Sequence, residues 1–238
     1  MTKFPLKIKH LQKSFEKKPV LNNAELVIKN HEIFSLIGVN GAGKTTLIKC
    51  ILDFHQADDG DISIFDMPSS KTKARLHLAY LPERFLPPHY LNGRQFLNYI
   101  FDLHESKVDN KSVLKMLADL DLSEEILIKP VRKFSKGMAQ KLGLAALLLL
   151  DKKLLILDEP MSGLDPKARA LVKMQLKLAK EKNKTIFFSS HLLADVEELS
   201  DRIGILHEGS IAFCGSPAEC KQQFNAESLE QAFLNCIE

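Results

Sequence analysis

A chain of 238 residues, 45% hydrophobic and 26% charged, can bury a full core and suits one larger domain or a domain with a small insert. A net charge of +3 on scattered lysines gives no case for nucleic acid as a partner, and the longest apolar run, Leu142 to Leu150, stops at Asp151-Lys152-Lys153, short of the roughly 18 residues a membrane span needs. Met1-Thr2-Lys3-Phe4-Pro5 lacks the apolar core of a signal peptide, and Cys50, Cys214, Cys220 and Cys236 form no CxxC pair, so the expectation is a cytoplasmic chain with free thiols.

Leu6, Ile8 and His10 alternate with Lys7, Lys9 and Leu11, which predicts a strand with one wetter face. Residues 12–22 read as a polar stretch carrying Phe15 and Pro19, and residues 24–28 as a second strand. Asn30-His31 turns the chain into Ile33-Phe34-Ser35-Leu36-Ile37, a short apolar run suited to a buried parallel strand. Gly38-Val39-Asn40-Gly41-Ala42-Gly43-Lys44-Thr45, with Thr46 following, then matches the P-loop pattern. Leu47, Ile48, Ile51 and Leu52 after it recur at helical spacing. A strand turning tightly into a helix aims free N–H groups and the positive end of the helix dipole at one point, and glycines leave room for phosphates there. Lys44 would reach the β- and γ-phosphates of a nucleoside triphosphate and the Thr45 hydroxyl would ligate Mg²⁺, with Asn40, Gly41, Ala42, Gly43 and Thr46 completing the cradle.

Residues 57–60 read as a turn, 61–65 as an alternating strand and 77–81 as a further strand ended by Pro82. From Glu83 the character changes: Pro87-Pro88 forbids regular structure, Asn92 can cap a helix with Phe96, Tyr99, Ile100 and Leu103 on one face, and Val113, Met116, Leu117 and Leu120 mark a second helix. Residues from about 86 to 134 therefore read as a mostly helical insert. Ser135 is a candidate cap for a helix running to Leu150.

Leu154-Leu155-Ile156-Leu157 reads as a buried strand beside the phosphate-loop strand, ending in Asp158-Glu159-Pro160. Ligands in α/β sheets collect at such carboxyl ends, where Asp158 would hold Mg²⁺ and Glu159 would orient and deprotonate a water. Asp165-Pro166 starts another helix, residues 185–189 form a strand, and His191 opens a helix. Residues 202–206 and 210–214 flank a turn at His207-Glu208-Gly209, Ser216 to Glu219 has the form of a capping box, and Ser228 can cap a last helix carrying Leu229, Phe233 and Leu234. Strands alternating with helices predict a largely parallel α/β sheet.

With these residues in view the chain resembles the ATP-binding subunit of an ABC transporter over essentially its whole length. The resemblance implies an α/β fold: a P-loop NTPase core with a mostly parallel sheet, an N-terminal antiparallel β subdomain and the helical insert at about 86–134, in one domain over residues 1–238. Phe134-Ser135-Lys136-Gly137-Met138 resembles the signature element, keeping the Ser and second Gly of Leu-Ser-Gly-Gly-Gln. Read from the residues alone it is a helix N-terminus, either a plain cap or a second anion site; the resemblance implies that Ser135 and Gly137 cover the γ-phosphate bound to an opposite subunit. Ser162-Gly163-Leu164-Asp165 resembles the D-loop, His191 the switch histidine that contacts the γ-phosphate, and Phe15 the aromatic that stacks on adenine. Glu83 stands where the family usually has a Gln that touches Mg²⁺ and the attacking water; Glu keeps the acceptor, loses the amide donors and adds a charge.

The resemblance thus implies an ATPase working with ATP and Mg²⁺, as a homodimer or paired with another such subunit, and attached to the inner face of the membrane through separate permease subunits. The Ser-Lys-Gly-Met form and the ending Ser228 to Leu234 are similar to export-type (ABC-2) subunits. The alternative is a soluble relative acting on ribosomes or DNA, but this chain carries one such domain and no sustained heptads between Lys44 and Ser135. A GTPase reading lacks its guanine motif, since Asn183-Lys184-Thr185-Ile186 has no closing Asp.

Overall fold

In the computed structural model, which describes residues 4–238, β1 (Leu6–Phe15) and β2 (Lys18–Ile28) pair antiparallel through a tight turn. Glu16 and Lys17 in that turn both have positive φ, the geometry whose twist suits a two-residue hairpin. The stretch 12–22, expected as a polar connection, is therefore mostly strand. The expected alternation also breaks, because His10 has φ 49° and is exposed while Leu11 is buried. A bulge at this point shifts the period by one residue, so Leu11 takes over the face that Leu6 and Ile8 began. The segment read for a leader begins in residues 1–3, which lie outside the described residues.

The chain continues through β3 (Ile33–Ile37), α1 (Lys44–Ile51), β4 (Asp59–Ile64), β5 (Met67–Pro68) and β6 (Leu78–Leu81). Then come α2 (Gly93–Leu103), α3 (Asn110–Asp119), α4 (Lys136–Leu149), β7 (Leu154–Leu157), α5 (Pro166–Glu181) and β8 (Thr185–Ser190). It closes with α6 (Leu193–Leu199), β9 (Arg202–His207), β10 (Ser210–Gly215), α7 (Pro217–Gln223) and α8 (Leu229–Ile237). Two sheets form. The first is antiparallel in the order β2-β1-β4-β5; the second runs β10-β9-β3-β8-β7-β6 and is parallel apart from the β9–β10 hairpin.

One sequence expectation is corrected by this order. The acid-tipped β7 was expected beside the phosphate-loop strand β3, but β8 lies between them. Apolar periodicity identifies strands without ordering them; the crossover through α5 is what returns the chain to the centre of the sheet.

The central strands are buried on both faces. Ile33 and Ile37, Leu155 and Leu157, and Ile186 and Phe188 face a core shared with α4, α5 and the helical segment 93–127. Phe34 and Leu36, Leu154 and Ile156, and Phe187 face a second core with α1 and the antiparallel sheet. Both faces being apolar is why these strands read as continuous hydrophobic runs rather than as alternations.

The segment between β6 and α4 contains α2, α3 and two 3₁₀ turns, Glu124–Leu127 and Val131–Lys133. Asn92 caps α2 in a reciprocal box with Gln95. The buried face of α2 is Gly93, Phe96, Leu97 and Phe101, whereas Tyr99 and Leu103, expected on it, are exposed. Both stripes fit helical spacing. Gly93 decides between them, since a Cβ there would come within 2.3 Å of the Ile126 carbonyl oxygen, and this close approach turns the 93/96/97 face inward. On α8 the buried pair is Leu229 and Ala232, with Phe233 half-buried and Leu234 exposed. Among the described residues no helix is long and apolar enough to cross a membrane.

Candidate functional site

The site is built where β3 ends. Gly38 begins the loop because nothing larger fits: a Cβ there would meet the Leu206 carbonyl oxygen of β9 at 2.5 Å. Gly41 and Gly43 have φ of 86° and 104°, in the left-handed region that glycine enters without a steric penalty. Gly43 then serves as N-cap of α1 with no side-chain hydrogen bond, which leaves the first-turn N–H groups pointing into the loop. Lys44 folds back over this cradle, its Nζ donating to the carbonyls of Gly38 at 2.8 Å and Val39 at 3.3 Å. Burial lowers the Lys44 pKa, and the carboxylates of Glu159, Asp158 and Glu83 pull it back up.

The opposite wall comes from the ends of β7 and β8. Asp158 is 2% exposed and accepts from the Ser189 hydroxyl at 2.5 Å. Burial raises its pKa; hydrogen bonds from Ser189 and Thr45 act the other way. Glu159 has φ 48° and its N–H donates to the same Ser189 oxygen at 2.9 Å, so one hydroxyl fixes both acidic positions. The Glu159 carboxylate lies 2.8 Å from Nδ1 of His191, and its oxygen accepts from the ring N–H. His191 itself stands in a turn closed by Ser190 Oγ, which accepts from the Leu192 N–H. That turn delays α6 to Leu193, two residues after the start expected from sequence.

A cavity of about 370 Å³ collects these groups: Asn40, Gly41, Gly43, Lys44, Thr45 and Thr46 from the loop, with Glu83, Asp158, Glu159 and His191 across from them. Of the residues singled out from sequence, Ala42 supports the loop from behind, against the second core. Phe15 stands outside the cavity lining at the tip of the β1–β2 hairpin, 40% exposed, edge-on to the His55 ring at 5.2 Å. Ser135 and Gly137 also lie outside it. Ser135 caps α4 by accepting from the Met138 N–H at 3.2 Å. Lys136 lies over Gly163 of the next loop, where a Cβ would meet its Nζ at 3.2 Å.

Sequence reasoning missed Ser189 as a site residue. It also missed Gln140, buried on α4, whose side-chain amide donates to the Pro160 carbonyl at 3.2 Å and so ties the Ser135 helix to the Asp158-Glu159 turn. Ser189 reads only as the polar end of a strand, and no local signal marks it, because its partners sit just past the end of β7. Ser189→Ala removes both of its bonds and leaves a buried N–H and carboxylate short of a partner. We expect a stability loss of about 1–3 kcal/mol in urea unfolding; an unchanged midpoint would show that neither bond matters to the fold.

The residues present suit a nucleoside triphosphate with Mg²⁺. The cradle is open above Gly41, where an added Cβ would meet nothing within 4 Å. Thr45 and Asp158 line the same cavity and offer the hard oxygen donors that Mg²⁺ prefers. Among the described residues no three His, Cys, Asp or Glu converge in a metal-holding group, so phosphate oxygens and water would complete the shell.

Comparison with known proteins identifies relatives of the whole chain. The family model described as ABC transporter matches residues 21–162. The lantibiotic transport ATP-binding protein SrtF of Streptococcus pyogenes is 35% identical over 232 residues, 98% of this chain and 97% of that one. An ABC transporter ATP-binding protein of Synechocystis is 39% identical over 202 residues, 84% of this chain, which spans only 57% of the relative's length. A solved structure of an ATP-binding subunit of an ABC transporter superposes with a TM-score of 0.88 at 30% identity, covering 97% of this chain and 98% of that one.

Proposed function

The chain belongs to the ABC transporter family, and on that premise we propose that it is an ATP-hydrolysing subunit that pairs around two Mg·ATP and powers a separate membrane permease. The observation that carries this reading is the cavity itself, where Lys44, Thr45, Asp158, Glu159 and His191 converge from three different strand ends. The transport names of the relatives support the coupling to a permease.

In this reading the loop amides and the Lys44 ammonium hold the phosphate charge. Bound Mg²⁺ would neutralise charge developing on the phosphate oxygens, with Thr45 and Asp158 as the protein groups that hold it. Glu159, oriented by its backbone bond to Ser189 and its side-chain bond to His191, takes the proton of the attacking water. His191 both aims that carboxylate and offers a cation or donor to the γ-phosphate. Phe15 provides a face for the adenine ring. Ser135 and Gly137, which do not line their own chain's cavity, fit a role against the nucleotide of a partner subunit across a two-fold axis. The helical segment between β6 and α4 would transmit the change to the permease through Glu83.

Titration calorimetry with purified chain and Mg·ATP tests the nucleotide site. Stoichiometric binding is expected; no heat at about 1 mM nucleotide would overturn the reading. Glu83 needs its own measurement. Its charge reaches Asp158, adding to the rise in pKa that burial causes there, and Lys44, where it opposes the lowering by burial. As a metal-side acceptor, Glu83→Gln should keep hydrolysis with a weaker Mg²⁺ dependence, and Glu83→Ala should lower turnover by about tenfold. Identical Mg²⁺ titration curves for the three proteins would show that Glu83 never reaches the metal.

A further inference from the structure

A second cavity, of about 210 Å³, shares Asn40 and His191 with the first and is walled by three elements: Gly38, Val39 and Asn40 of the phosphate loop, Ser190, His191 and Leu193 of the switch turn, and Phe233 of α8. The three walls are braced very differently. The loop wall is fixed, since Gly38 abuts the Leu206 carbonyl so closely that not even a Cβ fits. The α8 wall is fixed too. Leu229 and Ala232 are buried, Ser228 Oγ accepts from the Gln231 N–H at 3.2 Å, and the Asn235 amide donates to the Phe224 carbonyl at 2.9 Å.

The switch turn is held at its two ends, by Ser190 paired with Ile37 of β3 and by Leu193 packed on the core, with the exposed His191 between them. Within it the Ser190 hydroxyl accepts from the Leu192 N–H, the α6 N-cap Leu192 has no side-chain hydrogen bond, and His191 is exposed. The outward link of the His191 ring is its bond to Glu159. A ring that must hold Glu159 and also meet a phosphate needs a turn that returns to one place. The half-buried aromatic of Phe233, presented by an anchored helix, is the side chain that faces the turn across this cavity. The matched family segment ends at residue 162, so neither α8 nor Phe233 falls within it.

We propose that Phe233 is a positioning residue for His191: it backs the switch turn and sets the orientation of the imidazole toward Glu159 and the nucleotide. The proposal rests on the function given above for His191. Truncating the ring opens the 210 Å³ cavity further on the side of the turn while leaving the phosphate cradle intact. The effect should therefore fall on the chemical step and spare nucleotide binding.

The test compares Phe233→Ala, Phe233→Leu and Leu234→Ala with the unmodified chain, Leu234 being the exposed neighbour on the same helix. Steady-state hydrolysis of Mg·ATP and the imidazole NMR signals of nucleotide-free, histidine-labelled protein are both read, the His191 signal being identified by its loss in His191→Ala. Phe233→Ala is expected to lower kcat by about tenfold with KM within about twofold, and to shift the His191 signal. Phe233→Leu should restore kcat to within about twofold, since an apolar side chain again backs the turn. Leu234→Ala should change neither reading. Should the alanine variant fail to fold, Phe233→Val replaces it in both measurements. An unmoved His191 signal, a rise in KM equal to the fall in kcat, or a loss that leucine does not restore would overturn the positioning role. Normal turnover in His191→Ala would instead overturn the catalytic reading of His191, an outcome separate from the NMR result on Phe233.

Discussion

Glu159→Gln should lower ATP turnover by about 10²–10⁴-fold, the contribution of a positioned general base, while nucleotide binding persists. The amide has the same shape, its oxygen can still accept from His191 Nδ1, and the Ser189 bond to the backbone N–H does not depend on the side chain. What it lacks is a lone pair basic enough to take the proton of the attacking water. Glu159 is only 8% exposed, so bulk water is poorly placed to substitute as base. The variant should accumulate with ATP bound, and because two chains are proposed to pair around Mg·ATP that this variant does not consume, it should elute with ATP at twice the 26.8 kDa mass of one chain. Two results would count against the reading: turnover within a few-fold of the unmodified chain, or a mass that stays at one chain with saturating ATP.

Lys44→Ala is expected to cost hydrolysis about 10²–10³-fold, the scale for losing one preorganised charge-stabilising group. Here, unlike in Glu159→Gln, binding should weaken as well. The ammonium sits over the loop carbonyls of Gly38 and Val39 and, among the described residues lining the cavity, is the lysine or arginine charge available to phosphate. Folding should tolerate its loss. Burial already disfavours the charged form, as the lowered pKa shows, so the free protein gives up little by losing the ammonium. Turnover at saturating Mg·ATP, a fluorescent-nucleotide titration and a thermal melt separate these claims. Near-normal turnover would sink the role of the loop, and a collapsed melt would mean that Lys44 matters first to the fold.

Local chemistry in the sequence was sufficient for the shape of the glycine loop. The loop from Gly38 to Thr45 needs left-handed turns at Gly41 and Gly43 and a close approach at Gly38, and only glycine supplies these cheaply, so residue type reports geometry directly. The caps at Asn92, Ser135, Asp165, Ser216 and Ser228 were legible for the same reason, since each side chain accepts from the N–H three residues ahead in its own segment. Asp158, Glu159 and His191 were named from sequence, and the structure brings all three to one cavity with Lys44.

The tertiary structure alone decided what depends on partners distant in the chain. β8 enters the sheet between β3 and β7, and that order is what carries Ser189 to Asp158 and Glu159. The buried face of α2 was ambiguous between two helical stripes until Gly93 met Ile126, and the strand alternation at His10 failed because a bulge is set by pairing with β2. Phe233 read as an ordinary apolar position on a last helix; its place on a cavity shared with His191 comes from the seat of α8, fixed by Leu229 and Ala232. Periodicity and caps act within a few residues and are written locally, whereas sheet order, helix rotation and cavity walls are set by contacts between segments that no local pattern encodes.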